Sequence, residues 1–96
     1  MVRGNINFTP KGSMDIRSIA YWYNQQKDGL ADEFLNALDA ILRKVERHPT
    51  SFIFIKRNTR RCKLKKFPYY IYFSRLNSIT VLRVRHIKQQ PLKRFT

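Results

Sequence analysis

The sequence lacks a second cysteine, so Cys62 cannot form an internal disulfide in this chain of 96 residues. A lone cysteine is most often a small, buried apolar side chain in a reducing compartment. No apolar run approaches the roughly 20 residues that a membrane-spanning helix requires, and residues 1–12 lack the apolar core of a signal peptide. We therefore expect a cytoplasmic protein without a membrane partner. It should fold as a single domain over residues 1–96, with residues 91–96 as a tail that need not be ordered.

Acidic residues are missing from the second half of the chain. Residues 51–96 contain thirteen lysines and arginines and no aspartate or glutamate, whereas residues 1–50 contain seven basic residues and all six acids. The second half therefore carries +13 of the net charge of +14. This concentration favours an anionic partner, either nucleic acid or an acidic protein segment. Solubility alone is the weaker explanation, because mixed charges would serve it equally well.

Patterns for metal and cofactor chemistry are also absent. There is no glycine-rich phosphate loop and no cysteine–histidine cluster with the spacing of metal ligands. The six acids lie on or around the predicted helices, which disfavours a two-metal nuclease or a paired-carboxylate mechanism. We expect neither a cofactor nor a metal. What remains is cationic chemistry, in which arginine and lysine stabilise a developing phosphorane and tyrosine or lysine passes protons.

The first half of the chain predicts a short strand followed by a helix. Residues 6–8 have strand character, and Thr9 followed by Pro10 is a helix-start signal. Apolar residues then recur with helical spacing, which predicts a helix over residues 10–27. Gly29 provides the left-handed conformation that ends such a helix.

A second helix should follow at once and end before Pro49. Its apolar stripe consists of Phe34, Leu38, Ile41, Leu42 and Val45. The short break predicts an antiparallel αα-hairpin. Tyr21 and Trp22 lie off the apolar stripe of the first helix. We favour packing against the flank of a sheet for both, with a partner-facing surface as the alternative.

After Pro49 the apolar period changes from 3.6 to 2. Strand patterns occupy residues 52–55, 61–65, 69–73 and 78–86. Strands so close in sequence pair antiparallel. The predicted fold class is therefore α+β, with a short N-terminal strand, an αα-hairpin and then a three- to four-stranded antiparallel sheet.

Strand parity divides the side chains of "RRCKLKKFPYYIYF" and "SITVLRVRH" between two faces. Cys62, Leu64, Ile71 and Phe73 should pack against the helices, whereas Val81 falls on the outward face with the neighbouring arginines. The predicted outward surface contains Arg61, Lys63, Lys65, Tyr70, Tyr72, Arg83 and Arg85. Its lysines either protect an edge strand or, together with the aromatic residues, face an anionic partner.

Catalytic candidates are few. Arg83, Arg85, His86 and Lys88 cluster at the end of the last strand, where neighbouring cations favour the neutral imidazole that a general base needs. No orienting partner for His86 is evident from the sequence, so a structural role is the more common interpretation.

Three segments together resemble the RelE/ParE superfamily of bacterial toxins from type II toxin–antitoxin modules. They are the helical stretch beginning "DIRSIAYWYN", the stretch "KFPYYIYF" and the stretch "VLRVRH", and the similarity covers about residues 6–91. The resemblance implies a β-αα-βββ fold and an acidic antitoxin that wraps the toxin. It also implies one of two activities: RelE-type members cut mRNA on the ribosome without metal, whereas ParE-type members bind DNA gyrase and are not nucleases.

The sequence departs from the RelE-type pattern at two places. Tyr70 stands where such nucleases usually carry an arginine, and Gln89 and Gln90 stand where a further arginine is usual after the last strand. A guanidinium clamps a phosphate in a way that tyrosine and glutamine do not. The resemblance thus favours a ParE-like toxin that acts on gyrase by binding. A RelE-like ribonuclease and a plain nucleic-acid-binding module are the alternatives.

Overall fold

The computed structural model describes residues 6–89. It begins with strand β1 (Ile6–Phe8) and helix α1 (Pro10–Gln26). Thr9 caps the helix, because its hydroxyl accepts a hydrogen bond from the amide of Gly12 at 2.9 Å. The predicted helix–break–helix unit is confirmed. Gly29 adopts φ +85° as predicted, but it is the N-cap of helix α2 (Leu30–Arg47), whereas α1 is capped by Lys27 in extended backbone.

Helix α2 supplies the most deeply buried helical residues of the core. Its residues with zero exposure are Phe34, Leu38, Leu42 and Val45. Ile41, predicted to belong to the same stripe, is only half-buried. A single 3-10 turn over Pro49–Ser51 leads from this helix into the sheet, as expected for a proline that cannot continue a helix.

The sheet has five strands in the order β1-β5-β4-β3-β2. The remaining strands are β2 (Ile53–Lys56), β3 (Thr59–Lys63), β4 (Tyr69–Arg75) and β5 (Ile79–His86). The last four pair antiparallel, whereas β1 pairs parallel with β5. The predicted α+β class and element order are confirmed. The parallel pairing of β1 is an addition, because nothing in a three-residue strand reveals its partner.

A β-bulge changes the expected parity of β5. Tyr72 pairs with Arg83, but Phe73 pairs with Val81, so Leu82 is an extra residue on β5. The prediction that Val81 faces outward is therefore wrong: its side chain has zero exposure and lies in the core. Beyond the bulge, Val84 is buried as predicted.

An aromatic cluster joins the helix hairpin to the sheet. The ring of Tyr23 lies 5.2 Å from that of Phe67, and Phe34 lies 5.7 Å from Phe67 and 5.9 Å from Tyr69. These edge-to-face contacts orient the helices over one face of the sheet. The loop that contains Phe67 is thereby held against the hairpin.

Tyr21 and Trp22 do not pack against the flank of the sheet. They are 68% and 54% exposed, so the favoured prediction for this pair is wrong. Among residues 6–89, no helix is long and apolar enough to cross a membrane. The prediction of a tail at 91–96 concerns residues outside the described range.

Candidate partner-binding surface

The strand register places basic and aromatic side chains in two rows on the face opposite the core residues Ile71 and Val84. The rows are Arg61, Tyr72 and Arg83, and Lys63, Tyr70 and Arg85. Each row crosses three strands, with a tyrosine between two cations. We call these six residues the outer-face rows.

Tyr70 is the accessible aromatic residue of the rows, and Tyr72 is not. The guanidinium of Arg61 lies 4.0 Å above the ring of Tyr70, a cation–π contact that fixes both side chains. Tyr72 makes an edge-to-face contact with Tyr70 at 6.4 Å, but it is only 3% exposed. The prediction that Tyr72 contributes directly to the surface is therefore corrected, because its ring is buried and packs against that of Tyr70.

The side chain of Arg83 is bound to Asp15 of α1 and is therefore not free to contact a partner. Its Nε donates to Asp15 Oδ2 at 2.7 Å, and a terminal nitrogen donates to Asp15 Oδ1 at 3.2 Å. The backbone amide of Val84 also donates to Asp15 Oδ2, at 2.9 Å. The hydrogen bonds to Asp15 raise the pKa of Arg83 above its already high value. Arg83 is thus a compensated charge that joins α1 to β5.

Arg85, unlike Arg83, is not held by an acidic side chain of the described residues. Its Nε is shielded from solvent and has no hydrogen-bond partner within the described part of the chain. It lines a pocket of about 380 Å³ between α1 and the end of β5, whose polar lining also includes the ion pair of Asp15 and Arg83. An unsatisfied charged donor is costly. Neither salt bridge of the described residues involves Arg85, so its charge, unlike that of Arg83, is not compensated by a carboxylate.

Neighbouring residues at the end of β5 fix the orientation of His86. Its Nδ1 accepts a hydrogen bond from the amide of Lys88 at 3.0 Å, and its ring packs edge-to-face on Tyr69 at 5.3 Å. The side chain of Gln89 accepts from the His86 amide at 2.6 Å. An accepting Nδ1 places the proton of a neutral imidazole on Nε2. Nε2 is then a donor, so in this arrangement His86 does not present a basic nitrogen.

Tyr69 is equally unsuited to act as a base near neutral pH. Partial burial, with the neighbouring Tyr23 as a further cause, raises the pKa of Tyr69 to about 12. Burial also raises the pKa of the Cys62 thiol to about 12, which removes the thiolate needed by a nucleophile. The residues 6–89 contain no group of three potential metal-ligating side chains.

Lys65 does not join the outer-face rows, which corrects its predicted position. Strand β3 ends at Lys63, and the chain turns through Lys66 in the left-handed region at φ 73°. Lys65 and Lys66 instead line a groove of about 490 Å³ against α2. Its other lining residues are Glu33, Asn36, Ala37, Ala40, Ile41, Lys44 and Phe67. The groove thus combines an apolar floor with three lysines and one glutamate.

Two contributors to these surfaces were missed by sequence reasoning. Asp15 is one of the six acids that the sequence places on or around the helices, and its contact to Arg83 across 68 positions has no local signal. Lys44 was not connected with Lys65 because the groove depends on how the β3–β4 loop packs. Gln90, one of the two glutamines noted above, lies outside the described residues.

Comparison with known proteins places this geometry in a family. A family model described as ParE toxin of type II toxin–antitoxin system, parDE, matches residues 6–91. Among similar solved structures is a chain of the chromosomal ParDE TA system from P. aeruginosa. The similarity covers 85% of this chain and 94% of that one at 16% identity, with a TM-score of 0.70, and at this identity it shows a shared fold. No curated protein matches the sequence. The resemblance to the ParE branch is thereby confirmed.

Proposed function

Because the chain belongs to the ParE toxin family of type II toxin–antitoxin systems, we propose that it arrests growth by binding a cellular target, DNA gyrase, and not by cutting RNA. The observation that supports this proposal is the hydrogen bonding of His86 and Arg83 at the end of β5. Nδ1 of His86 is occupied by the Lys88 amide, and the charge of Arg83 is compensated by Asp15. No acid–base pair is assembled there among the described residues.

The outer-face rows are the proposed contact surface. Lys63 is exposed, Arg61 and Tyr70 form a stacked pair, and Arg85 belongs to neither salt bridge of the described residues. A rigid cationic surface of this kind recognises an acidic or phosphate-bearing partner through charge complementarity. Gyrase as the target follows from the resemblance to ParE-type toxins.

An acidic antitoxin is the partner proposed for the resting state. The second half of the chain carries no acid to balance its cations, and the groove beside α2 adds three lysines around an apolar floor. An amphipathic acidic segment satisfies both features, because it neutralises the lysines and covers Ala37, Ile41 and Phe67. Binding of such a segment would stabilise the folded toxin by mass action.

The test is controlled induction of the gene in a bacterial host without any antitoxin. We expect growth arrest, trapped gyrase–DNA complexes, altered supercoiling of a reporter plasmid and intact transcripts. Purified protein should inhibit supercoiling by purified gyrase under the same salt conditions. The inactive control is the double variant Lys63→Glu/Arg85→Glu, which reverses two charges of one outer-face row.

A ribonuclease is the second candidate because Arg85 lines a pocket and belongs to neither salt bridge of the described residues, and a guanidinium is suited to phosphate. Induction would then produce discrete mRNA cleavage, dependent on translation, before any change in supercoiling. That result, with gyrase unaffected in the purified assay, would overturn the binding mechanism.

A further inference from the structure

Helix α1 leaves three large apolar side chains on its solvent side. Met14, Tyr21 and Trp22 are 60%, 68% and 54% exposed, whereas Ile16 and Tyr23 of the same helix are buried. Residues two positions apart lie about 200° apart around a helix axis, so Met14 and Tyr21 point away from the core. The ring of Trp22 is held edge-to-face against that of Tyr23 at 5.2 Å. The helix therefore presents an exposed, largely apolar surface.

A small residue lies between the large side chains of this surface. Met14, Ser18 and Trp22 form one row, because residues four apart are neighbours on a helix surface. Ser18 is exposed and leaves a low point in the row, and Tyr21 and Gln25 lie beside it and are also exposed. Two helices that cross at such a point can approach closely, with the i±4 rows of both interdigitating. We call these five residues the α1 patch.

The charge distribution indicates which partner suits the α1 patch. Residues 10–47, which contain both helices, hold six basic and six acidic residues, whereas the rest of the chain holds fourteen basic residues and no acid. An acidic partner is therefore attracted mainly to the rest of the molecule. Between Gly12 and Gln26 the charged residues are Arg17 and Asp15, and Asp15 is paired with Arg83. Two copies of the protein consequently repel each other least when their helical hairpins face each other.

The area of the α1 patch matches a weak symmetric interface. Aromatic side chains bury about 150–250 Å² each, so Met14, Tyr21 and Trp22 together expose roughly 300–400 Å². Apolar patches of this size on a monomer are often functional. Two such patches and their polar neighbours would bury on the order of 1,000 Å², at the lower end of specific interfaces. A dissociation constant in the micromolar range is expected for such a contact.

We propose that the α1 patch is the interface of a homodimer in which the α1 helices of two copies cross near Ser18. A twofold contact is isologous, so Met14 of each protomer packs on Trp22 of its partner. The contact of a methionine sulfur with an aromatic ring is favourable, and tryptophan and tyrosine often dominate the energy of an interface. This inference rests on the helix surface and the charge distribution, and it does not depend on the proposed function.

The experiment is sedimentation equilibrium of the purified full-length chain over a concentration series that spans the micromolar range. The wild-type protein should pass reversibly from monomer to dimer. Met14→Glu and Tyr21→Glu, tested separately, should raise the dissociation constant about tenfold, because each buries a carboxylate in the interface. Circular dichroism should show that both variants remain folded, since both side chains are exposed in the monomer.

Leu76→Glu is the matched control. Leu76 is 71% exposed in the turn between β4 and β5, so this variant also exchanges an exposed apolar side chain for an acid and lowers the net charge equally. It should dimerise at least as well as the wild-type protein. If net charge alone governed association, all three glutamate variants would dimerise more strongly, and the proposal would be overturned.

Engineered cysteines test the geometry of the contact in a Cys62→Ala background. Ser18→Cys should form a disulfide-linked dimer under mild oxidation. Helices with axes about 8–10 Å apart bring facing Cα atoms to about 4–6 Å, which a disulfide spans. Asn24→Cys is the control, because Asn24 is exposed on the same helix but lies about 120° around its axis. Equal yields from the two cysteine variants would contradict a crossing near Ser18.

Salt dependence separates this contact from association through bridging anions. Increasing salt should strengthen the dimer, because it screens the repulsion between two cationic molecules and leaves apolar contacts in place. A monomer throughout the concentration series would overturn the proposal, as would a dimer that Met14→Glu and Tyr21→Glu leave unchanged. A dimer that is dissociated by Phe54→Glu and by neither α1 variant would place the contact at β2 and overturn it as well.

Discussion

Asp15 on α1 and Arg83 on β5 form an ion pair of 2.7 Å that also closes the edge of the sheet. The same carboxylate accepts the amide of Val84, so one side chain replaces the strand that β1 is too short to provide. Both partners are largely shielded, with side-chain exposures of 18% and 25%. Asp15 therefore balances the charge of Arg83 and at the same time satisfies a backbone amide at the edge of the sheet.

Replacement of Asp15 by alanine should destabilise the protein strongly. The variant leaves the Arg83 guanidinium and the Val84 amide without their acceptor in a partly buried setting, which costs about 2–4 kcal/mol in the free energy of unfolding. Asp15→Asn should cost less, because an amide oxygen still accepts from Val84. Urea denaturation of the three proteins measures these differences.

The matched control is Asp39→Ala, which removes the other described salt bridge. Asp39 and Arg43 are four residues apart on α2, with a contact of 2.7 Å and an arginine that is 60% exposed. Such a pair contributes about 0.3–0.5 kcal/mol. Equal losses in Asp15→Ala and Asp39→Ala would show that edge closure adds nothing to stability.

The periodicity of the sequence predicts the helices and strands, but it does not predict the contacts between them. The Thr9–Pro10 signal and Gly29 mark helix ends by chemistry that acts within a few residues. The bulge at Leu82 depends instead on the register with β4, and one extra residue reversed the predicted face of Val81. Lys65 was misplaced because Lys66 turns the chain out of β3.

Strand alternation likewise predicts which residues share the candidate surface, but not which of them are exposed. Alternation correctly grouped Lys63 with Tyr70 and Arg85, since these residues pair across three strands. Burial of Tyr72 and compensation of Arg83 by Asp15 depend on distant parts of the chain. These tertiary effects separate exposed cations from structural ones, and periodicity does not report them.

Gly12→Ala should destabilise the protein although alanine favours helices. A Cβ at Gly12 would lie 2.8 Å from the Val81 carbonyl oxygen and 3.2 Å from that of Leu82. Both atoms belong to the backbone, so α1 must move away from β5, at a cost of about 1–3 kcal/mol. This exceeds the gain of about 1 kcal/mol in helix propensity. Thermal and urea denaturation measure the net loss.

Asn24→Ala is the control for that substitution, because Asn24 is an exposed residue of the same helix. It should leave stability unchanged or raise it by a few tenths of a kcal/mol, up to about 0.5. If Gly12→Ala were as stable as Asn24→Ala, the close approach of α1 and β5 would not limit stability.

The Cys62 thiol should make stability fall at alkaline pH. Burial raises its pKa from 9.0 to about 12. Between these values the unfolded chain releases the thiol proton and the folded chain retains it, so rising pH favours unfolding. The contribution is complete below pH 9 and decreases as the pH rises toward 12, by up to about 4 kcal/mol.

Comparison with Cys62→Ala isolates this effect. The variant retains Tyr69 and all basic residues, so the difference between the two denaturation curves over pH 9–12 belongs to the thiol. We expect the wild-type protein to lose more stability than the variant over this range. Parallel pH profiles would contradict the assignment, as would rapid reaction of the native thiol with an aromatic disulfide reagent at neutral pH.

His86→Asn tests whether the imidazole takes part in chemistry. Asparagine places an oxygen near the position of Nδ1, where it accepts from the Lys88 amide, and it removes Nε2 entirely. A protein that acts by binding should retain growth arrest in this variant. If the variant no longer arrests growth although its circular dichroism and denaturation are unchanged, His86 acts as a catalytic residue.

Charge reversal in one outer-face row should abolish growth arrest without unfolding the protein. Lys63 is exposed, and Arg85 has no described partner whose loss would be costly, so Lys63→Glu/Arg85→Glu should fold normally. The control, Arg75→Glu, reverses an exposed cation at the end of β4, outside the rows. Arrest should persist in the control and fail in the double variant at equal expression. Wild-type binding to gyrase should also weaken as salt increases, because screening reduces the attraction between exposed charges. Persistent arrest in the folded double variant would exclude this row as the contact surface.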